Sequence, residues 1–213
     1  MEHYNILIAT PGHSLEAEYV KSLTLTLAAI SKKGLTYKWL NEKGSLVHEV
    51  REATLTGDYN LNLSEKGPLH DKVTYDCIFW IDSDISWTVD QFFRLYESKY
   101  QVTSGAYLLP HGATTVSDIK TGVPYSKAQV LAMSTPIRVS GVGLGFVCVK
   151  AGVFERLPRP WFYMMSRSMS ETLIINVGED SSWCAKIYQN GMEVWFDPKV
   201  LVGHVKSRIL TWR

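Results

Sequence analysis

Nowhere in this chain of 213 residues do apolar residues approach eighteen in a row, so the sequence predicts no membrane-spanning helix. Cysteine is scarce and odd in number: Cys77, Cys148 and Cys184. Three thiols cannot make a disulfide framework, and all three lie in apolar or amphipathic runs. No charged-then-apolar leader opens the chain at Met1-Glu2-His3-Tyr4, so the expectation is reduced, buried thiols in a cytoplasmic compartment. Charge of one sign is also missing. A net charge of +1 gives no polyanion-binding surface and argues against a nucleic-acid partner. There is no internal repeat, low-complexity segment or linker, and no Gly-Lys-Ser/Thr follows the glycines, which excludes a phosphate-binding P-loop. Aromatic residues, by contrast, are plentiful. Seven Trp and eleven Tyr suit a sugar-binding cleft as well as a core. With 46% hydrophobic and 20% charged residues, the length suits one globular domain with a sizeable core.

Hydrophobic periodicity gives the order of elements. A short apolar strand, 4–9, stops at Thr10-Pro11-Gly12. Leu15, Tyr19, Leu23, Leu27 and Ile30 then mark one face of a helix, which Lys32-Lys33-Gly34 ends. A strand at 35–40, a helix at 47–55 carrying Arg51, a polar loop at 58–71, a strand at 77–81, a helix at 88–98 and a strand at 101–109 follow. Such alternation predicts an α/β fold with a mostly parallel central sheet and helices on both faces. Residues 111–133 are less regular and polar and read as a flap or insertion. Gly141, Gly143 and Gly145 lead into a strand at 146–149, and Glu179-Asp180 precede a helix at 181–189. Two last strands are expected at 193–196 and 200–205.

The chain is organised around Cys77-Ile78-Phe79-Trp80-Ile81, which ends abruptly in Asp82-Ser83-Asp84. A continuous apolar run reads as a strand buried on both faces. Its C-terminal end is where open α/β sheets bind ligands. Two carboxylates one residue apart repel each other there unless a cation neutralises them. Hard oxygen ligands suit Mn²⁺ or Mg²⁺, which bridge to substrate phosphates. The same three residues also suit a turn that caps the next helix.

This layout resembles the GT-A family of nucleotide-sugar glycosyltransferases, and within it the first domain of multidomain chlorovirus enzymes that build capsid glycan. The features that carry the resemblance are Thr10-Pro11 after the first strand, Asp82-Ser83-Asp84, the acidic pair Glu179-Asp180, and His204 on the last strand. The resemblance implies a single GT-A domain over 1–213, with a nucleotide-binding half, 1–109, a sugar- and acceptor-binding half, 110–213, and further domains of the same chain beyond it. It implies a UDP-sugar donor, a glycan acceptor and Mn²⁺ or Mg²⁺. The metal ligands would be Asp82, Asp84 and His204. Nucleotide contacts would come from Thr10, Pro11, Arg51, Asp82, Ser83 and Lys206, with Arg208 as a further phosphate contact. Gly141, Gly143 and Gly145 would line the sugar and acceptor. Asp180, beside Glu179, would be the general base, its ionised form favoured by the helix N-terminus. Each position has a plainer reading: a surface Arg51 paired with a nearby Glu, a bulged strand at the glycines, an N-cap at Asp180, a solvated face at Lys206 and a strand-edge His204.

A second class fits some of the same residues. Haloacid-dehalogenase-like phosphatases carry Asp-x-Asp after an apolar strand, and Gly178-Glu179-Asp180 is a passable match to their later acidic motif. Asp82 would then be a covalent nucleophile. Against this, the Asp-x-Asp strand here follows two strand–helix units rather than opening the fold, and that chemistry has no use for His204. A catalytically silent sugar- or nucleotide-binding module would not need metal ligands at both Asp84 and His204.

Overall fold

The structure, a computed structural model, describes residues 1–60, 62–110, 112–168 and 170–206. In chain order the elements begin with β1 (Glu2–Pro11), α1 (Ala17–Lys32), β2 (Tyr37–Glu42), α2 (Val47–Thr56), β3 (Val73–Ile81), β4 (Ile85–Ser86), α3 (Val89–Tyr96) and β5 (Val102–Ala106). They continue with β6 (Val116–Ser117), α4 (Lys127–Ala132), β7 (Ile137–Arg138), β8 (Gly141–Val142), β9 (Phe146–Lys150), β10 (Met165–Ser168), β11 (Ile174–Val177), α5 (Glu179–Gln189), β12 (Trp195–Leu201) and β13 (Gly203–His204). The predicted alternation of strands and helices through β5 is present.

Seven strands form the central sheet in the order β2-β1-β3-β9-β5-β12-β7. Parallel pairing joins β2, β1 and β3, and likewise β5 and β12; β9 and β7 run the opposite way. Five strands therefore share one direction. Because β9 lies between β3 and β5, residues 1–109 and 110–213 contribute to one sheet.

Strand periodicity explains the layering. Leu7, Ala9, Ile78 and Trp80 point into one core, and Ile6, Ile8, Cys77, Phe79 and Ile81 into the other. Residues 77–81 are all fully buried, as expected for a strand covered on both faces. Trp183, Cys184 and Ile187 of α5 and Leu55 of α2 cover the first face. Tyr19, Leu23 and Ile30 of α1 and Phe92 and Phe93 of α3 cover the second. All three cysteines are buried and unpaired. Among the described residues no helix is long and apolar enough to cross a membrane.

Two sequence expectations need correcting. The stretch 112–133 is packed on the core and not a flap: Val116 and Val130 are buried there, and β6 pairs with β8. The expected strands at 193–196 and 200–205 divide elsewhere: β12 runs on through Asp197-Pro198 to Leu201, with a register shift between Phe196 and Leu201 against β5, and β13 takes only Gly203-His204. Proline cannot donate to a ladder. The break is bridged because Asp197 accepts from Arg94 (Nε–Oδ2 2.7 Å) and from the Lys199 amide (3.0 Å).

β1 leads to β2 on one side, whereas β3 leads to α3 and β5 on the other. The carboxyl ends of β1 and β3 therefore flank a topological switch point, where α/β sheets open a crevice. Pro11 closes one strand, and Asp82 follows the other.

Candidate active site

Asp82, Ser83 and Asp84 leave β3 in a tight turn, with the Ile85 amide donating to the Asp82 carbonyl (3.0 Å). The Asp82 amide donates to Gly145 O (3.1 Å), which ties the turn to the loop before β9. From the far end of the chain, β13 pairs antiparallel with β4, placing His204 opposite Ile85; the Val205 amide donates to Asp84 O (2.8 Å). Residues some 120 positions apart in sequence are thereby zipped together over the crevice.

Two side chains converge there. His204 Nε2 lies 3.2 Å from Asp84 Oδ2, and His204 Nδ1 lies 2.8 Å from the carbonyl of Leu108. A carbonyl only accepts, so Nδ1 carries a proton, and Nε2 is the atom turned toward the carboxylate. Metal-binding histidines are held this way, with one ring nitrogen tied to an acceptor and the other free to coordinate. A carboxylate oxygen and an imidazole nitrogen at this spacing fit two neighbouring ligands of an octahedral Mn²⁺ or Mg²⁺. Such ions commonly take only one or two protein ligands and fill the rest with water and phosphate oxygens. Lys206 Nζ also reaches Asp84 Oδ2, at 2.6 Å. Arg208 lies outside the described residues.

Asp82, the third expected metal ligand, is held apart from these two by Arg51. Arg51 Nη2 donates to both of its oxygens, at 2.9 and 3.2 Å, and Arg51 Nε donates to Glu179 Oε1 at 3.2 Å. Among the described residues no three His, Cys, Asp or Glu side chains gather as a metal group. Nor is Arg51 a surface residue: its side chain is 4% exposed and its guanidinium lies over Trp80. Burial opposes its charge, but Asp82 and Glu179 outweigh burial and hold its pKa above the ordinary value. Arg51 thus binds α2, the β3 turn and the start of α5 to one another. Its Nη1 is buried without a partner among the described residues.

Asp180 is the second residue of α5 and not its N-cap, which is Gly178. Its Oδ1 accepts from the adjacent Ser181 amide at 2.7 Å. The helix N-terminus alone favours a low pKa for a first-turn acid. The opposite holds here, because burial, then the charges of Glu179 and Asp82, raise it. A carboxylic acid whose pKa is raised toward the working pH is what general base chemistry needs.

Thr10, an expected nucleotide contact, has its side chain turned inward. It is fully buried, and its hydroxyl is engaged by Tyr19 Oη (2.5 Å) and Trp39 Nε1 (3.1 Å), which fixes the shape of the loop. Pro11, Ser83, Asp82 and Arg51 do share one cleft with Ser45 and Val47, of about 280 Å³. The glycine run has its own cause. A side chain at Gly143 or Gly145 would collide with the ring of Tyr107, whose hydroxyl accepts the Gly145 amide at 3.3 Å, whereas a Cβ at Gly141 would meet nothing within 4 Å among the described residues. Tyr107, which sequence reasoning missed, stands edge-on to His204 with ring centroids 4.9 Å apart. Gly145→Ala is therefore expected to cost about 1–3 kcal/mol through overpacking, and Gly141→Ala close to nothing. Urea unfolding of the two variants checks this, and equal effects would count against the Tyr107 explanation.

No protein-family model matches the sequence, and no curated protein sequence does. Solved structures do. A197 from STIV aligns over all of this chain and 98% of its own, with a TM-score of 0.54 at 17% identity. The catalytic domain of Drosophila β1,4-galactosyltransferase 7, in complex with xylobiose, aligns over 98% of this chain and 72% of its own, with a TM-score of 0.52 at 12% identity. GalNAc-T7 with UDP, GalNAc and Mn²⁺ gives 0.52 at 13% identity over 95% of this chain and 44% of that one. At such identities the likeness is one of fold: the chain has the α/β, GT-A-like architecture found in glycosyltransferases.

Proposed function

We propose that this chain is a glycosyltransferase that moves a sugar from a UDP-sugar to a hydroxyl of a glycan, with Mn²⁺ or Mg²⁺ held by Asp84 and His204. The observation that carries this reading is the convergence of Asp84 Oδ2 and the oriented His204 Nε2 at 3.2 Å, at the switch point of a GT-A-like sheet. Electrostatics support it. Asp82, Asp84, Glu179 and Asp180 surround the crevice, against the cations Arg51 and Lys206. A diphosphate adds negative charge to a site already short of cations, so a divalent ion completes the balance. Bound there, such an ion stabilises charge on the leaving diphosphate. The cleft of Pro11, Ser83 and Arg51 is assigned to the nucleotide, and Lys206 to a phosphate oxygen. The segment at Gly141, Gly143 and Gly145 is assigned to the sugar and acceptor; Tyr107 packs against Gly143 and Gly145, which leaves Gly141 as its open position. Asp180 takes the proton of the attacking hydroxyl in an inverting reaction; in a retaining one the leaving phosphate serves as base. The phosphatase alternative loses ground because both oxygens of Asp82, its would-be nucleophile, accept from Arg51 Nη2.

Thermal denaturation tests the reading. UDP at about a hundred times its Kd in the presence of Mn²⁺ should add about 3 kcal/mol of stability, or about 5–10 °C in Tm for a domain of this size. With EDTA the rise should largely vanish, and Asp84→Ala or His204→Ala should remove the difference. Equal shifts with and without Mn²⁺ would sink the metal assignment.

A further inference from the structure

Asp84 is already occupied. The Lys206 ammonium lies 2.6 Å from Asp84 Oδ2, the same oxygen that His204 Nε2 approaches at 3.2 Å. An ion held between Asp84 Oδ2 and His204 Nε2 would lie against an ammonium at hydrogen-bond distance from the same oxygen, and two cations crowded on one oxygen repel each other. Lys206 is two residues beyond His204, just past β13, and its side chain is 46% exposed, so it has room to leave. The flanking backbone need not move, because β13 is pinned to β4 and Val205 to the Asp84 carbonyl. Asp82 offers no alternative berth, since Arg51 fills it.

We propose that Lys206 is a tethered cation that holds Asp84 until a divalent ion displaces it. The ion and the ammonium compete for one carboxylate oxygen. Once displaced, the ammonium stands beside the crevice, free to pair with an incoming anion. Ion and diphosphate then favour each other's binding through one side chain, a reciprocal coupling. The competition keeps the bare protein's affinity for the metal low and reserves tight binding for the pair of ligands. This rests on the assignment of Asp84 and His204 as metal ligands.

The test uses Mn²⁺ alone, with no nucleotide. Binding is followed by loss of the free-ion electron paramagnetic resonance signal in the wild type, Lys206→Met, Lys206→Arg and Asp84→Asn, the last setting the baseline for stray surface binding. Lys206→Met should bind Mn²⁺ about three- to tenfold more tightly than the wild type, between the worth of an exposed ion pair and that of a charge-assisted hydrogen bond. Lys206→Arg should return toward the wild type. A second readout needs no variant: the rate at which Lys206 is acylated, measured by mass spectrometry, should rise when Mn²⁺ is added. Equal or weaker Mn²⁺ binding by Lys206→Met, or an unchanged acylation rate, would overturn the competition and leave the ligand assignment standing. If neither the wild type nor Lys206→Met binds above the Asp84→Asn baseline, both fall together.

Discussion

Replacing Arg51 with Met is expected to destabilise the protein by about 3 kcal/mol, at the lower end of what breaking one side of a buried ion pair costs. The reason is what remains. Asp82 and Glu179 would keep their charges with no guanidinium between them, Glu179 at 13% side-chain exposure and Asp82 at 28%. Asp82 reaches enough water to blunt its share, which sets the lower end. Arg51→Lys should recover only part, since an ammonium cannot donate from Nη2 to Asp82 and from Nε to Glu179 in one planar fork. Adding Asp82→Asn and Glu179→Gln to Arg51→Met should restore much of the loss by discharging the stranded acids. Urea unfolding of the series measures these steps. A loss below 1 kcal/mol in Arg51→Met would show that the three elements do not depend on this fork.

The Arg51 network also marks where the sequence stops being readable. The Asp-x-Asp turn was legible because its signal is local: five apolar residues, then two acids. The alternation of strand and helix was legible because period-two and helical patterns follow from which face is buried. Arg51's partners lie 31 and 128 residues away, and nothing local distinguishes it from a solvent-facing arginine. Tyr107 was hidden for a related reason. Alternating glycines announce that something large comes close, but not what it is. Between ligand and ring, the structure shows a ring at Gly143 and Gly145. At β12, Asp197-Pro198 carries an honest break signal, and Arg94 from a distant helix overrides it. His204 was placed by resemblance, and the residues that orient it, Leu108 through its carbonyl and Tyr107 through its ring edge, carry no signature in sequence at all.

Asp180 is where activity and stability are expected to separate most clearly. Burial, followed by the charge of Glu179, lifts its pKa above the ordinary carboxylate value. A folded-state pKa above the unfolded one means that the folded protein holds this proton more tightly. The stability contributed by protonated Asp180 is therefore present at low pH and is lost as pH rises from the ordinary carboxylate value through the raised one. At neutral pH the ionised side chain is a cost to the fold. Asp180→Asn removes that charge and keeps the shape, so the variant should unfold at a slightly higher temperature than the wild type at pH 7, and the difference should disappear in acid. Turnover should move the other way, falling by about 10²–10⁴-fold, because an amide cannot accept the acceptor's proton. UDP binding in the presence of Mn²⁺ should hardly change, since the donor diphosphate is assigned to Asp84, His204 and Lys206. A loss in kcat without a loss in donor affinity is the pattern of a group that acts in the transition state. The pH profile supplies the last discriminator. Wild-type kcat/KM should fall on the acid side at a pH above that of an ordinary carboxylate, and Asp180→Asn should lack that limb. Near-normal turnover in Asp180→Asn would remove it from the reaction and leave the proton to the departing phosphate, as in a retaining transfer.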